Sequence, residues 1–126
     1  MVEKAPEPAP VVMIVDDEPM IRTVVAEFLS ENGLKMVEAE NAERALALLD
    51  RCSDVKLLFT DINMPGDMDG LALAKEVHRR WPEMLVMLTS GRGGVPKSAM
   101  PAGGEFVAKP YDFENLVERI RKILRH

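Results

Sequence analysis

Three aspartates, a lysine and a hydroxyl pair stand in this sequence where they could act together. Asp16 and Asp17 directly follow the apolar run Val11–Val15, and Asp61 directly follows Val55–Thr60. Thr89 and Ser90 follow Leu85–Leu88. Lys109 follows Phe106–Ala108 and precedes Pro110. Two carboxylates about 4 Å apart repel by about 4 kcal/mol at an effective dielectric of about 20, so a cluster of three needs a cation. An all-oxygen set without histidine suits a hard divalent ion. Mg²⁺ fits best, because it accepts a few carboxylates and keeps water or phosphate oxygens as its other ligands. A carboxylate can also act as a nucleophile and form an aspartyl-phosphate. That chemistry needs positioning and charge neutralisation around the equatorial oxygens. Mg²⁺, the Lys109 ammonium, the Thr89 hydroxyl and a backbone N–H would supply them.

Each residue alone has a plainer reading. An Asp after a strand is usually a helix cap or turn former. A Lys before Pro usually sits on the surface, and a Thr–Ser pair at a strand end usually makes a turn. Asp69 and Asp112 read as caps and Asp67 as a loop residue, while Glu18 either caps a helix or lines the rim of a pocket. His78 and His126 read as surface histidines. Only joint placement by the fold would turn the first set into a site.

The elements that could place them alternate along the chain. The expected strands are Val11–Val15, Met36–Ala39, Val55–Thr60, Leu85–Leu88 and Phe106–Ala108. The first, third and fourth are almost continuously apolar, as parallel strands are when both faces are buried. Between them lie helical stripes. Ile21, Val24, Val25, Phe28 and Leu29 form one, with Pro19 in its first turn and Gly33 as its stop. Ala42, Ala45, Leu46 and Leu49 form the next, capped by Asn41. Leu73, Val77 and Trp81 form a third, between Asp69 and Pro82, and Phe113, Leu116, Val117, Ile120 and Leu124 form the last, behind Asp112. Every stripe reads first as core packing.

The expected class is therefore α/β: a flavodoxin-like, doubly wound, five-stranded parallel sheet in the order 2-1-3-4-5. Such sheets bind ligands at the carboxyl ends of their strands, beside the switch point between strands 1 and 3. Asp16, Asp17 and Asp61 would converge there, with Thr89 and Lys109 arriving from strands 4 and 5. Residues 91–104 break the pattern with Gly91, Gly93, Gly94, Pro96, Pro101, Gly103 and Gly104. Gly costs about 1 kcal/mol in a helix interior and Pro about 3. The fourth helix of the fold is thus expected to be short or disordered, at most a turn around Lys97–Met100, and the stretch to be mobile.

Length and composition set the outer bounds. A chain of 126 residues suits one domain. Residues 1–10, with Pro6, Pro8 and Pro10, read as a disordered lead-in, and residues 11–126 as the folded domain. A formal net charge of −5 argues against direct nucleic-acid binding, which rests on a basic footprint. With Cys52 as the single cysteine, no internal disulfide can form, and a reducing cytoplasm is the simplest setting. No signal peptide is visible, and the longest apolar runs reach about five residues, far short of a membrane span.

At these residues the sequence resembles the receiver domain of two-component response regulators. The resemblance rests on Val15-Asp16-Asp17-Glu18, Thr60-Asp61-Ile62-Asn63-Met64-Pro65-Gly66, Leu88-Thr89-Ser90-Gly91 and Phe106-Val107-Ala108-Lys109-Pro110. Each motif is weak alone, but four in order are specific, and they cover about residues 11–125. The resemblance implies that Asp61 accepts a phosphoryl group from a histidine kinase or a histidine phosphotransfer protein. It implies that Asp16, Asp17 and Asp61 bind Mg²⁺, Asp17 most directly, with the main-chain carbonyl of Asn63 as a further ligand. Thr89 would be the hydroxyl that moves toward the phosphoryl group, Phe106 the aromatic that rotates in response, and Lys109 the contact to the phosphoryl oxygens. A downstream protein would read the result, and residues 91–104 would be the element that orders.

Three departures from the family pattern stand out. The loop Pro65-Gly66-Asp67-Met68-Asp69-Gly70 is one residue longer than usual, the fourth helix is compromised, and no output domain follows His126. The last point implies either a stand-alone relay protein or a receiver from a longer hybrid kinase. Other readings are weaker. A Mg²⁺-dependent phosphatase with Asp61 as nucleophile would want an acid two positions on, where Asn63 stands. A pure interaction module would not need all five pocket residues. A nucleotide or flavin binder would want a Gly-rich loop after strand 1, where Asp16 and Asp17 would repel a phosphate.

Overall fold

Parallel strands with both faces buried need helices on both sides, and the computed structural model has that arrangement. It describes residues 9–52, 54–91, 100–101 and 103–125. The strands are β1 (Val11–Val15), β2 (Lys35–Ala39), β3 (Val55–Asp61), β4 (Leu85–Ser90) and β5 (Glu105–Ala108). The helices among the described residues are α1 (Pro19–Glu31), α2 (Ala42–Leu49), α3 (Gly70–Arg80) and α4 (Phe113–Leu124). All strands are parallel, in the order β2-β1-β3-β4-β5. The expected order and class are those observed. The expectations of a disordered lead-in and of a broken or mobile segment after β4 fall largely on residues 1–8, 92–99 and 102, outside the described residues.

Strand alternation divides the core. Val11, Met13 and Val15 join α2 and α3 through Ala45, Leu49, Leu73 and Val77 on one face. Val12 and Ile14 join α1 and α4 through Val25, Leu29, Leu116 and Ile120 on the other. Burying each such Leu or Ile side chain contributes about 1.5–3 kcal/mol, which is what presses the helices onto the sheet. β2 is an edge strand, and its exposed Lys35 and Glu38 match that position.

The helix ends follow local chemistry. Asn41, Asp69 and Asp112 each accept a backbone N–H three residues on, at 2.8, 2.9 and 3.3 Å. Gly33, with φ +90°, follows the end of α1, in a conformation that L side chains rarely adopt. α3 ends at Arg80, one residue earlier than its apolar stripe suggested. Trp81 caps it outside the helical region, at φ −132° and ψ 74°, as expected of a residue before a proline. In the last turn of α4 the buried residue is Ile123, while Leu124 is half-buried.

β2 and β5 start one residue before their apolar runs, at Lys35 and Glu105, and two strands continue past theirs at the carboxyl end. β3 includes Asp61, and β4 includes Thr89 and Ser90. The ladder carries them: Asp61 pairs in register with Thr89, the Ile62 N–H bonds the Thr89 carbonyl at 2.9 Å, and the Lys109 N–H bonds the Ser90 carbonyl at 3.1 Å. The polar residues are therefore held by sheet geometry rather than by loops.

Candidate functional site

The carboxyl ends of β1, β3, β4 and β5 meet at one edge of the sheet, and each contributes a polar side chain. Asp16 is 1% exposed and Asp61 5%. The Asp16 N–H bonds the Ala39 carbonyl at 3.2 Å, its carbonyl accepts Arg22 Nη1 at 2.8 Å, and its Oδ1 accepts the Glu18 N–H at 2.9 Å. Arg22 also reaches Glu38 Oε1 at 3.2 Å, so α1 is tied over the ends of β1 and β2. Asp61 is held from both sides. Its Oδ1 accepts the Asn63 N–H at 3.0 Å and its Oδ2 accepts Lys109 Nζ at 3.0 Å. Lys109 Nζ also donates to Asp16 Oδ2 at 3.1 Å. One ammonium thus bridges two buried carboxylates that lie 93 and 48 residues away from it in the chain.

Electrostatics favour that bridge. Burial alone would lower the Lys109 pKa. The hydrogen bond to Asp61, the nearby Tyr111 phenol and the contacts to Asp16 outweigh it and raise the pKa above the ordinary lysine value. The ammonium stays charged throughout the physiological range. The Tyr111 phenol is pushed up to about 12, first by burial; the Thr89 hydroxyl and Lys109 pull it down, and Asp16 and Asp61 push it up. Tyr111 stacks at a tilt against Phe59, with ring centroids 5.7 Å apart.

Among the described residues, one acidic group has the geometry to hold a metal ion. Asp16, Glu18 and Asp61 each offer an oxygen, and these lie within 4.8 Å of one another. Lys109 supplies a single positive charge against these three carboxylates, so the cluster keeps an excess of negative charge. All donors are hard oxygens, which fits a divalent cation of the Mg²⁺ kind. Glu18 occupies the N-cap position of α1, but its side chain makes no cap hydrogen bond. Of its two readings, the rim of the pocket is the one observed. Asp17 is half-buried and stands outside this group of three.

The other expected residues are distributed as follows. Thr89 is buried beside Asp61 in register, and its Oγ1 has no hydrogen-bond partner of good geometry. Asn63 is exposed, and its side-chain amide bonds Ser90 Oγ at 2.6 Å. Phe106 is half-buried and packs on the α2–α3 face of the core, paired in register with Leu88.

Two residues close to the site were not legible as parts of it. Tyr111 had no signal beyond being an aromatic two positions after Lys109. Gly70 had a weak one, a glycine at the first position of a helix. A Cβ there would lie 1.8 Å from the Asp61 carbonyl oxygen and 2.8 Å from the Ile62 Cα. The Gly70 N–H bonds the Ile62 carbonyl at 2.9 Å, so α3 starts against the backbone of the strand that carries Asp61.

Beside Lys109 lies an open apolar groove of about 630 Å³ between α1 and the β5–α4 connection, lined by Met20, Ile21, Val24, Gly91, Pro110 and Tyr111, among others. Met20 is 81% exposed. No helix among the described residues is long and apolar enough to cross a membrane.

Comparison with known proteins agrees with this geometry. The family model for the response regulator receiver domain matches residues 12–121. The chain is 33% identical over 122 residues to the transcriptional regulatory protein AruR of Pseudomonas aeruginosa, covering 92% of this chain but 50% of that protein. It is 32% identical over 118 residues to a chemotaxis protein CheY homolog of Campylobacter jejuni, covering 89% of this chain and 90% of that one. Among solved structures, the response regulator protein TrrA from Thermotoga maritima in complex with Mg²⁺-BeF superimposes with a TM-score of 0.78. It shares 31% identity over 90% of this chain and 98% of that one. With the sheet order, the four motifs and the family match in agreement, this chain belongs to the response regulator receiver domains of two-component systems.

Proposed function

We propose that Asp61 accepts a phosphoryl group from a histidine kinase or a histidine phosphotransfer protein in a Mg²⁺-dependent reaction, and that the acyl phosphate changes the domain's conformation for a downstream protein. The observation that carries this reading is the Lys109 ammonium bridging buried Asp16 and Asp61 at the switch point of the sheet. A carboxylate oxygen of Asp61 attacks phosphorus, the P–N bond to the donor imidazole breaks, and its electron pair stays on the ring nitrogen, which then takes a proton. Lys109, already on Oδ2, moves with the charge onto the phosphoryl oxygens. Asp16, Glu18 and Asp61, with Asp17 from the β1–α1 loop and the main-chain carbonyl of Asn63, would hold the cation. When bound, Mg²⁺ neutralises charge on the transferring group and its acceptor.

The buried Thr89 hydroxyl lacks a well-formed bond in the resting state, so a new acceptor beside Asp61 draws it in. Phe106, one register position behind on β5, responds as Thr89 leaves its place. The exposed apolar side chain of Met20, at the groove beside Lys109, suits the helical surface of a phosphodonor protein. The module acts on its own acyl phosphate rather than turning over a separate substrate, and cytoplasmic partners are the expected ones.

The test is to incubate the chain with a small phosphodonor such as acetyl phosphate plus Mg²⁺ and to measure intact mass. One added phosphoryl group is expected, absent in Asp61→Asn and after chelation of Mg²⁺. No mass gain with any donor would overturn the reading.

A further inference from the structure

Ser90 has no role so far, yet it touches both of the groups that hold Asp61. We propose that Ser90 is a positioning residue of the acceptor site, an inference that rests on the proposed function. Its hydroxyl accepts the Asn63 side-chain amide at 2.6 Å, and the Asn63 N–H is the donor on Asp61 Oδ1 at 3.0 Å. Its carbonyl accepts the Lys109 N–H at 3.1 Å, and the Lys109 ammonium is the donor on Asp61 Oδ2 at 3.0 Å. One residue at the end of β4 therefore braces the donors to both oxygens of the acceptor.

The Asn63 arm depends on it most. The chain is fixed by the backbone as far as Ile62, whose N–H bonds Thr89 and whose carbonyl accepts the Gly70 N–H. Asn63 is exposed, and its two bonds among the described residues are those to Asp61 and Ser90. Met64, next in the chain, is buried in the core, while Pro65, Gly66 and Asp67 beyond it are exposed and Gly66 turns through φ +109°. The core contacts of Ile62 and Met64 hold the chain on either side of Asn63, and the Ser90 hydroxyl is the one side-chain tether of Asn63 itself among the described residues. Ser90 itself is 3% exposed and paired in register with Ala108, so it is a rigid anchor for a loop residue. The same tether holds the Asn63 carbonyl that the proposed function assigns to the cation. A carboxylate with both oxygens fixed presents its lone pairs in one direction, which is what a positioned nucleophile needs.

The experiment uses the full chain and the variants Ser90→Ala, Asn63→Ala and the double variant. The first readout is amide hydrogen exchange at residue 63 in metal-free protein, with melting temperature as the control. The second is the rate of Asp61 phosphorylation by acetyl phosphate with Mg²⁺, split into maximal rate and apparent KM. Ser90→Ala is expected to speed exchange at residue 63 by about tenfold and to lower the maximal rate by a similar factor, with KM and melting temperature close to those of the wild type. The double variant is expected to be no slower than the slower single one, because both substitutions cut the same bond. Unchanged exchange at residue 63 in Ser90→Ala, or single effects that multiply in the double variant, would overturn the inference. If Ser90→Ala does not fold, Asn63→Ala removes the same bond from an exposed position and keeps the residue-63 N–H as reporter. If the wild type takes no phosphoryl group, the proposed function falls, and the exchange readout alone decides the role of Ser90.

Discussion

The two ends of the sheet carry similar bonds with different consequences. At the carboxyl end, Lys109 meets Asp16 and Asp61 at 3.1 and 3.0 Å with all three side chains largely buried. At the opposite end, Arg80 meets Asp50 at 2.6 Å and stacks over the Trp81 ring at 4.6 Å, but both charged groups remain in contact with water. Bond length does not separate them; solvent does. An exposed pair exchanges hydration for a contact and gains little. A buried ammonium between two carboxylates has lost its hydration, and its removal would strand two charges. Glycines divide in the same way. Gly70 lies against the Asp61 backbone, whereas Gly33, beyond α1 at the other end, has nothing within 4 Å of a Cβ placed on it. Tight packing and buried charge gather where the chemistry is proposed.

Substitutions at the two ends should therefore differ, and the largest contrast is between the glycines. Gly70→Ala is expected to lower unfolding free energy by about 4 kcal/mol or more, since backbone must move to admit the methyl group. Gly33→Ala should lose only about 1 kcal/mol, the strain of its left-handed conformation. Equal losses in denaturant titrations would break the comparison.

Lys109→Ala comes next. A loss of about 3 kcal/mol is expected, from the two carboxylates it leaves buried without a partner. Added Mg²⁺ should restore more stability to this variant than to the wild type, as read from melting temperature with and without the ion. An identical Mg²⁺ response in the two proteins would count against a shared cation site.

Tyr111 sharpens the comparison through pH. Its pKa is raised to about 12, so the folded state holds the phenolic proton that the unfolded state releases near pH 10. The contribution is full below about pH 10 and is lost as pH climbs toward about 12. Stability should drop by roughly 2 to 3 kcal/mol through that window on account of this group. Lys109, also raised, acts in the same direction. Tyr111→Phe should flatten the drop in part, and an unchanged slope would show that the phenol is not confined as described. The smallest effect belongs to Arg80→Ala, below about 1 kcal/mol and diminishing with salt.

Local rules reached a long way in this chain. The continuous apolar runs located β1, β3 and β4, because burial on both faces leaves no alternation to hide. The caps Asn41, Asp69 and Asp112 were legible because an N-cap bond reaches only three residues along the chain. They failed where a neighbour in space decided the outcome. Asp61, Thr89 and Ser90 lie inside strands because adjacent strands continue the ladder past the apolar run. Ile123 is buried because of how α4 sits on the sheet. Gly70 is required by the approach of α3 to a strand end, and no stretch of residues around it announces that approach.

The sequence by itself determined the class of fold, the strand order through the rules of parallel connections, and the arrival of Asp16, Asp61 and Lys109 at one edge. Those follow from periodicity and short-range chemistry. Only the tertiary structure decided that Glu18 brings a carboxylate oxygen within 4.8 Å of those of Asp16 and Asp61, and that Ser90 stands between Asn63 and Lys109. Such choices depend on distances of a few ångströms between segments far apart in the chain, set by packing on both faces of the sheet at once.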